Sequence, residues 1–163
     1  MAMNVHLDTQ YLYAFAASKK NEQESYLKRQ LLAVLHNHNP DIQVKISFTA
    51  LGETFNEINK KITIENQKWS AVQELYKLSL EEKVDLIPAT HSSIRLARKL
   101  KKDDPRLNDT DILIVSQAIC DREAILALFQ DRMILESEVI KSCCAGREET
   151  KGYCNLRIKE NFT

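Results

Sequence analysis

The chain has 163 residues, 44% of them hydrophobic, a length that allows one domain with a substantial core and is too short for two comfortable ones. Its 23 basic residues balance its 23 acidic ones, so any contact with nucleic acid has to depend on a local patch. No run of 18 apolar residues and no basic-then-apolar N-terminal segment occurs, and we therefore expect no membrane association and a cytoplasmic location.

The first third of the chain predicts two strands, each followed by helical sequence. In order, the predicted elements are a strand at 4–8, a helix at 9–18, a helix at 22–36, a strand at 42–47, and a helix whose apolar side carries Phe48, Leu51, Phe55 and Ile58. Asp8 or Thr9 is the expected cap of the first helix, because a side-chain oxygen there accepts from the free N–H groups of the first turn. Ser47 and Thr49 are the corresponding candidates for the last helix.

The middle of the chain is mainly helical. It predicts a helix at 69–80, a strand or connector at 84–88 and a helix at 91–100. The last helix and its exit carry five basic residues, Arg95, Arg98, Lys99, Lys101 and Lys102. Trp69 and Tyr76 lie at helical spacing, and we interpret them as core residues rather than as platforms for stacking bases. His91, at a helix start, is interpreted as a cap or surface residue.

The most apolar helix is predicted at residues 109–120. Asn108, Asp109 and Thr110 supply oxygens that can cap it, and apolar residues then cover most of its circumference, which predicts a central, buried helix. Asp111 is consequently an acid at the start of a buried helix. It either caps the helix and complements its dipole, or it belongs to a functional site.

The remaining sequence predicts a strand at 124–129, whose continuous apolarity fits a parallel sheet, followed by Asp131. A short strand is expected within 133–140, and a hairpin or a loosely packed tail at 142–163. Alternating strands and helices predict a three-layer α/β/α sandwich with a mainly parallel central sheet. We assign residues 1–142 to this domain and residues 143–163 to a C-terminal tail or hairpin that is either separate or part of the same domain.

The four cysteines give no clear metal-binding pattern. Cys120 falls in the buried helix and is expected to be a small core residue. Cys143, Cys144 and Cys154 lie near the C-terminus without a Cys-x-x-Cys spacing, which gives little support to a zinc site. A local disulfide to Cys154 is the alternative to reduced structural thiols, and the thiols are the default expectation.

Acidic residues follow or flank the predicted strands at one edge of the sheet. Asp8 ends the first strand, Asp111 starts the buried helix and Asp131 follows the strand at 124–129, while Glu53 approaches from the neighbouring helix. Carboxylates that are brought together repel one another, and a hard divalent cation relieves that repulsion. Oxygen ligands favour Mg²⁺ or Mn²⁺, ions that serve phosphodiester chemistry. The alternative is that each acid is a helix cap or a solvated charge.

Four segments together resemble the PIN-domain family of ribonucleases. They are residues 7–10 (Leu-Asp-Thr-Gln), 46–53 (Ile-Ser-Phe-Thr-Ala-Leu-Gly-Glu), 108–115 (Asn-Asp-Thr-Asp-Ile-Leu-Ile-Val) and 128–131 (Leu-Phe-Gln-Asp). Each motif alone is weak, whereas their order and spacing are fairly specific over most of the chain. The resemblance implies the PIN-like fold and a metal-dependent ribonuclease.

By the same resemblance, the catalytic and metal-binding acids would be Asp8, Glu53, Asp111 and Asp131. Thr9 and Gln10 would support these ligands from behind. Glu57 and Asp109 are rivals for Glu53 and Asp111 that fit the family spacing less well. Phe129 replaces a Thr or Ser that is usual in the family, which removes a hydroxyl beside Asp131 and bears on catalytic competence.

The resemblance implies a Mg²⁺- or Mn²⁺-dependent ribonuclease that acts in RNA processing or as the toxin of a toxin–antitoxin pair, in which case a homodimer and an antitoxin partner are expected. RNA phosphates would be bound by Arg95, Arg98, Lys99, Lys101 and Lys102, with Lys60 and Lys61 next. One alternative is a catalytically inactive PIN-like module that binds RNA or protein. A second is a doubly wound domain that binds an anion at helix N-termini, which no glycine-rich loop supports.

Overall fold

Five parallel strands form a single sheet in the computed structural model, which describes residues 1–18 and 20–162. In chain order its elements are β1 (Met3–Leu7), α1 (Thr9–Ala16), α2 (Glu22–Leu35), β2 (Ile42–Ser47), α3 (Phe48–Lys61), α4 (Glu65–Ser79), β3 (Val84–Ile87), α5 (His91–Asp103), α6 (Asp109–Cys120), β4 (Ala124–Leu128), α7 (Arg132–Glu136), α8 (Glu138–Glu148) and β5 (Arg157–Lys159). The strand order is β3-β2-β1-β4-β5, with β1 at the centre.

Helices cover the sheet in two groups, which confirms the predicted three-layer sandwich. On one side α1 packs against α2, α3 and α4, and on the other α6 packs against α5 and α8. Leu7 of β1 pairs with Leu128 of β4, so the residues that follow these two strands emerge at the same edge of the sheet. None of the helices within the described residues has the length and apolarity needed to cross a bilayer.

The C-terminal predictions of secondary structure were wrong in two places. Residues 133–140 form parts of two helices rather than a strand, because Asp131 caps α7 and the Ser137 hydroxyl caps α8. Residues 142–162 form neither a hairpin nor a loose tail, since α8 runs to Glu148 and β5 pairs in parallel with β4. Thr163 lies outside the described residues. The polar sequence concealed an edge strand only three residues long.

The predicted core positions of the α3 and α4 aromatics were also wrong. Trp69 and Tyr76 are 62% and 63% exposed, and Phe48 and Phe55 are 53% and 42% exposed. Helical spacing identifies residues that share a face, but it does not say on which side the sheet lies. In α4 the buried face instead carries Ala71, Leu75 and Leu78, and in α3 it carries Ala50, Thr54 and Ile58.

The cysteines of the described chain are free thiols, each of them half-buried, as the default expectation had it. Burial raises the pKa of the Cys144 thiol to about 11, so this side chain is neutral near pH 7. Cys120 lies at the C-terminal end of α6 and is only partly buried, in contrast to its predicted core position.

A buried guanidinium on α8 joins the C-terminal end of the chain to the sheet. Arg147 is 5% exposed, and within the described residues the N–H groups of its guanidinium hydrogen-bond to backbone carbonyl oxygens. It donates to those of Ile119 (2.7 Å), Asp121 (2.6 Å), Arg122 (3.4 Å), Ala124 (2.7 Å) and Cys154 (3.1 Å). The Ile119 carbonyl belongs to the last turn of α6, where the helix itself supplies no donor, and the guanidinium provides one. The guanidinium thereby fixes the turn between α6 and β4.

We expect Arg147→Met to lower the free energy of unfolding by about 3 kcal/mol, because it leaves buried carbonyl oxygens without donors. That loss corresponds to a fall in Tm of about 6–12 °C for a chain of this size. Arg157→Met on the neighbouring strand β5 is the control, since Arg157 is exposed. Equal melting temperatures for the two variants, measured by circular dichroism, would contradict the assigned role of Arg147.

Candidate active site

Asp8 is held where the two central strands end. It caps α1, its Oδ1 accepting from the Thr9 N–H at 2.7 Å, and its own N–H donates to the Leu128 carbonyl of β4 at 3.1 Å. The residue is only 2% exposed. The pairing of β1 with β4 therefore fixes the position of this buried carboxyl.

Asp111 is a buried acid that the helix does not use as a cap. Asn108 caps α6, its Oδ1 accepting from the N–H groups of Thr110 (2.9 Å) and Asp111 (3.4 Å). The suggestions that Asp109 or Asp111 caps the helix were therefore wrong. The Asp109 carboxylate is 83% exposed and pairs with Lys101 at 3.1 Å, whereas Asp111 is 9% exposed. The two rivals thus lie in opposite environments.

Glu53 and Asp131 complete the group from two other elements. On α3, the Glu53 Oε2 atom is buried and has no hydrogen-bond partner within the described residues. Asp131 caps α7, its Oδ1 accepting from the Met133 N–H at 2.8 Å. Glu57, the rival one turn from Glu53, is instead engaged with Lys61 at 2.8 Å. A buried carboxylate oxygen without a partner is costly unless a ligand or cation satisfies it.

The ionisation of Asp8 and Asp111 is perturbed by burial and by the neighbouring carboxyl groups, including those of Glu53 and Asp131. Burial, followed by the charges of Glu53 and Asp131, raises the pKa of Asp8 to about 7, against a hydrogen bond from Thr9. Burial and then the Asp8 charge raise the pKa of Asp111 to about 8. Asp111 is within hydrogen-bonding reach of both Asp8 and Asp131. We call these four residues the carboxyl cluster.

The donor chemistry of the carboxyl cluster suits a hard divalent cation, since it offers only oxygen atoms and one of them is buried and unsatisfied. In the part of the chain that the structure describes, however, no three of the Asp, Glu, His and Cys side chains are already arranged as metal ligands. The oxygen atoms of the cluster would therefore have to turn toward an ion to bind it. Among the described residues, the cysteines likewise form no zinc site.

Thr9, Gln10 and Phe129, the residues expected to affect the acids, lie in different environments. Thr9 is buried, and its hydroxyl has no hydrogen-bond partner in the described chain, which leaves it available beside Asp8. Gln10 is exposed and lines an adjoining cleft. Phe129 is fully buried in the core, and its N–H donates to the Lys159 carbonyl of β5 at 2.9 Å. Its phenyl ring thus anchors the segment before Asp131 in the core.

An open cleft of about 530 Å³ lies between α1, α2 and α3 and shares Thr9 and Glu53 with the surroundings of the carboxyl cluster. We call it the α1–α3 cleft. Its lining also includes residues that sequence reasoning did not select: Tyr13, Asn21, Gln23, Glu24 and Leu27. The sequence signal that could have identified this cleft is the spacing of Gln10 and Tyr13, which lie one helical turn apart on the helix that follows Asp8.

The basic residues that were predicted to bind RNA do not all lie on the same side of α5. Arg98, Lys101 and Lys102 line a shallow groove of about 430 Å³ with Asp109, Ile112 and Leu113 of α6. We call it the α5–α6 groove, and it begins two residues from Asp111. Lys99 instead lies toward Cys143 of α8, whose pKa is raised by burial and lowered by the Lys99 charge. Arg95 is exposed and does not line the groove.

Two solved structures resemble the chain in fold. One is VapBC2 from Rickettsia felis, bound to a DNA fragment from its own promoter. It has 14% sequence identity and a TM-score of 0.59, and the match covers 96% of this chain and 98% of that one. The other is the Mycobacterium tuberculosis toxin VapC20, which cleaves the sarcin–ricin loop, with 19% identity, a TM-score of 0.60, and coverage of 78% and 89%. No family model and no curated protein matches the sequence.

These similarities define the class of fold. The chain has the PIN-like α/β/α fold of VapC toxin structures, as its ordered motifs predicted. In this chain the strand order is β3-β2-β1-β4-β5, and the buried Asp8 lies at the carboxyl end of the central strand β1.

The raised carboxyl pKa values predict that the metal-free protein loses stability as the pH rises. The native state keeps protons on Asp8 and Asp111 up to pH values of about 7 and 8, whereas the unfolded chain releases them near 3.8. Asp111→Asn should therefore melt higher than the wild type in EDTA at pH 8.5, by about 5 °C. The difference should shrink toward pH 5.

Asp109→Asn provides the matched control, because it changes an exposed carboxylate of the same helix turn. It should give no stabilisation that grows with pH. Scanning calorimetry at several pH values measures both differences. A wild type that gains stability relative to Asp111→Asn as the pH rises would show that Asp111 is ionised and favourably placed in the metal-free fold.

Proposed function

We propose that this chain is a Mg²⁺- or Mn²⁺-dependent ribonuclease that hydrolyses RNA phosphodiester bonds at the carboxyl cluster. The observation that carries the proposal is the convergence of Asp8, Glu53, Asp111 and Asp131, from four separate segments, at the end of β1 and β4. Burial of Asp8 and Asp111 beside each other costs stability. Such a cost at one edge of the sheet is typical of a functional site.

The four acids would hold the metal, with the Thr9 hydroxyl and the Gln10 amide supporting them. When bound, a divalent ion supplies charge neutralisation at the phosphate and lowers the pKa of a water molecule. The chain's own contribution is positional: the backbone bonds of Asp8, the capping contact of Asp131 and the Asn108 cap hold three carboxyls on rigid elements. Glu53 contributes the oxygen that is buried and unpaired.

RNA would reach the cluster along the α5–α6 groove. Arg98, Lys101 and Lys102 place positive charge there, beginning beside Asp109 at the same helix start that carries Asp111. Such side chains bind backbone phosphates without reading the sequence. Arg95 and Lys99 on the same helix add charge at longer range, and this difference in position allows a test.

We further propose a toxin role with an antitoxin partner. The Rickettsia felis VapBC2 structure and the sarcin–ricin-loop-cleaving VapC20 share the fold over most of the chain, which supports this choice over RNA processing. A homodimer and action on cytoplasmic RNA belong to the same proposal. An inactive module that binds RNA or protein is the alternative, and the cleavage experiment below distinguishes it.

Cleavage of a mixed pool of single-stranded and structured RNA should occur with Mn²⁺ and stop with EDTA. Asp111→Asn should slow it by a factor on the order of 10² or more, because it removes charge from the metal-binding set. Asp109→Asn should retain nearly full activity. Absence of cleavage by the folded wild type would favour the inactive binding module, and full activity in Asp111→Asn would remove Asp111 from the site.

Arg98→Ala combined with Lys102→Ala should weaken RNA binding several-fold and reduce the slope of log affinity against log salt by about 1–2. Lys99→Ala should change both quantities by much less per charge removed, because Lys99 lies toward α8 and acts on RNA only at longer range. Filter binding at several salt concentrations, with metal omitted to prevent cleavage, measures both. If all the variants lost the same affinity per charge, the α5–α6 groove would not be the RNA path.

A further inference from the structure

The α1–α3 cleft has features that metal-dependent cleavage of the RNA backbone does not explain. It borders the carboxyl cluster through Thr9 and Glu53, and it shares no lining residue with the α5–α6 groove. Its volume of about 530 Å³ accommodates a nucleoside. Its walls combine an aromatic ring, carboxylates and side-chain amides, groups that contact nucleobases more readily than phosphates.

The aromatic ring belongs to Tyr13, which is half-buried on α1. Lys61 Nζ lies 4.8 Å from the centre of this ring and is held there by the Glu57 carboxylate at 2.8 Å. Within the described residues the Tyr13 hydroxyl makes no hydrogen bond. The ring is thereby ordered, and its hydroxyl is available to a ligand.

The oxygen acceptors that line the cleft differ in whether they already have a partner within the protein. Glu57 is neutralised by Lys61. Glu24 uses one oxygen in the capping box of α2, where Oε1 accepts from the Asn21 N–H at 3.3 Å. The Gln10 amide is exposed at the mouth of the cleft. A ligand that presents adjacent N–H donors fits this set, because a carboxylate accepts two such donors at once.

We propose that the α1–α3 cleft is a nucleobase subsite of the ribonuclease, in which Tyr13 stacks on the base next to the scissile phosphate and Glu24 selects guanine. Among the four RNA bases, guanine presents adjacent N–H donors on its Watson–Crick edge. Gln10 contacts the base or its ribose, and the base stacks on the face of the Tyr13 ring that Lys61 does not cover. The subsite rests on the proposed function, since it assigns the substrate's specificity to a cleft beside the same carboxyl cluster.

Binding of mononucleotides tests the subsite without depending on cleavage. The wild type in EDTA is titrated with GMP, AMP, CMP and UMP, and chemical shifts are followed by NMR. GMP should shift the resonances of Tyr13 and Gln10 and bind about tenfold more tightly than UMP. Equal affinities for all four nucleotides, or shifts confined to other parts of the chain, would overturn the proposal.

Two variants and a control assign the roles. Tyr13→Ala should abolish GMP binding, whereas Tyr76→Ala, which removes the same side chain from an exposed position on α4, should not. Glu24→Gln should reduce the preference for GMP over UMP. If Tyr13→Ala has a low melting temperature, Glu24→Gln is the deciding variant, because glutamine can also complete the capping box of α2. Unchanged preference in Glu24→Gln would overturn the assigned selectivity.

The outcomes separate the subsite from the enzyme. GMP binding that depends on Tyr13, in a protein that cleaves no RNA, would leave the subsite in place and refute the ribonuclease. Cleavage that proceeds with no dependence on Tyr13 or on guanine would refute the subsite alone. An arginine-rich peptide that shifts the same resonances when no nucleotide does would show that the cleft receives a basic protein segment instead.

Discussion

The burial of neighbouring carboxyl groups is the constraint that the rest of the structure accommodates. Asp8 sits between two central strands, and Asp111 lies at the start of a helix that already has its cap in Asn108. Asp111 has no capping role where it lies, and burial raises the pKa of both acids toward neutrality. The fold therefore holds these groups at a cost, which a bound cation would relieve.

The helix that carries Asp111 is held firmly at its opposite end. There the Asp121 carboxylate accepts from Asn4 at 2.8 Å and contacts the buried His6 ring at 2.8 Å, both on β1. Arg147 binds the carbonyl oxygens of Ile119 and Asp121 at the same end. Because Asp8 directly follows β1, these contacts attach both α6 and Asp8 to the same strand. This limits how far Asp8 and Asp111 can separate.

The sequence was sufficient for the alternation of elements and the position of the acids, since both depend on local patterns. Asp8 follows a strand, and Asp111 lies within the first turn of a buried helix, as expected. It was insufficient where tertiary contacts decide. The exposure of Trp69 and Tyr76 and the short β5 strand depend on neighbours that spacing does not identify. Tyr13 and Glu24 became visible only when α1, α2 and α3 were brought together.

The most direct measurement of the central claim is a crystal structure of the protein soaked in Mn²⁺, with anomalous data collected at a wavelength where manganese scatters strongly. We predict an anomalous peak among the oxygens of Asp8, Glu53, Asp111 and Asp131, with carboxylates turned toward it, and its loss in Asp111→Asn. No peak at the cluster in a crystal that binds manganese elsewhere would refute the metal site, and the buried acids would then need another explanation.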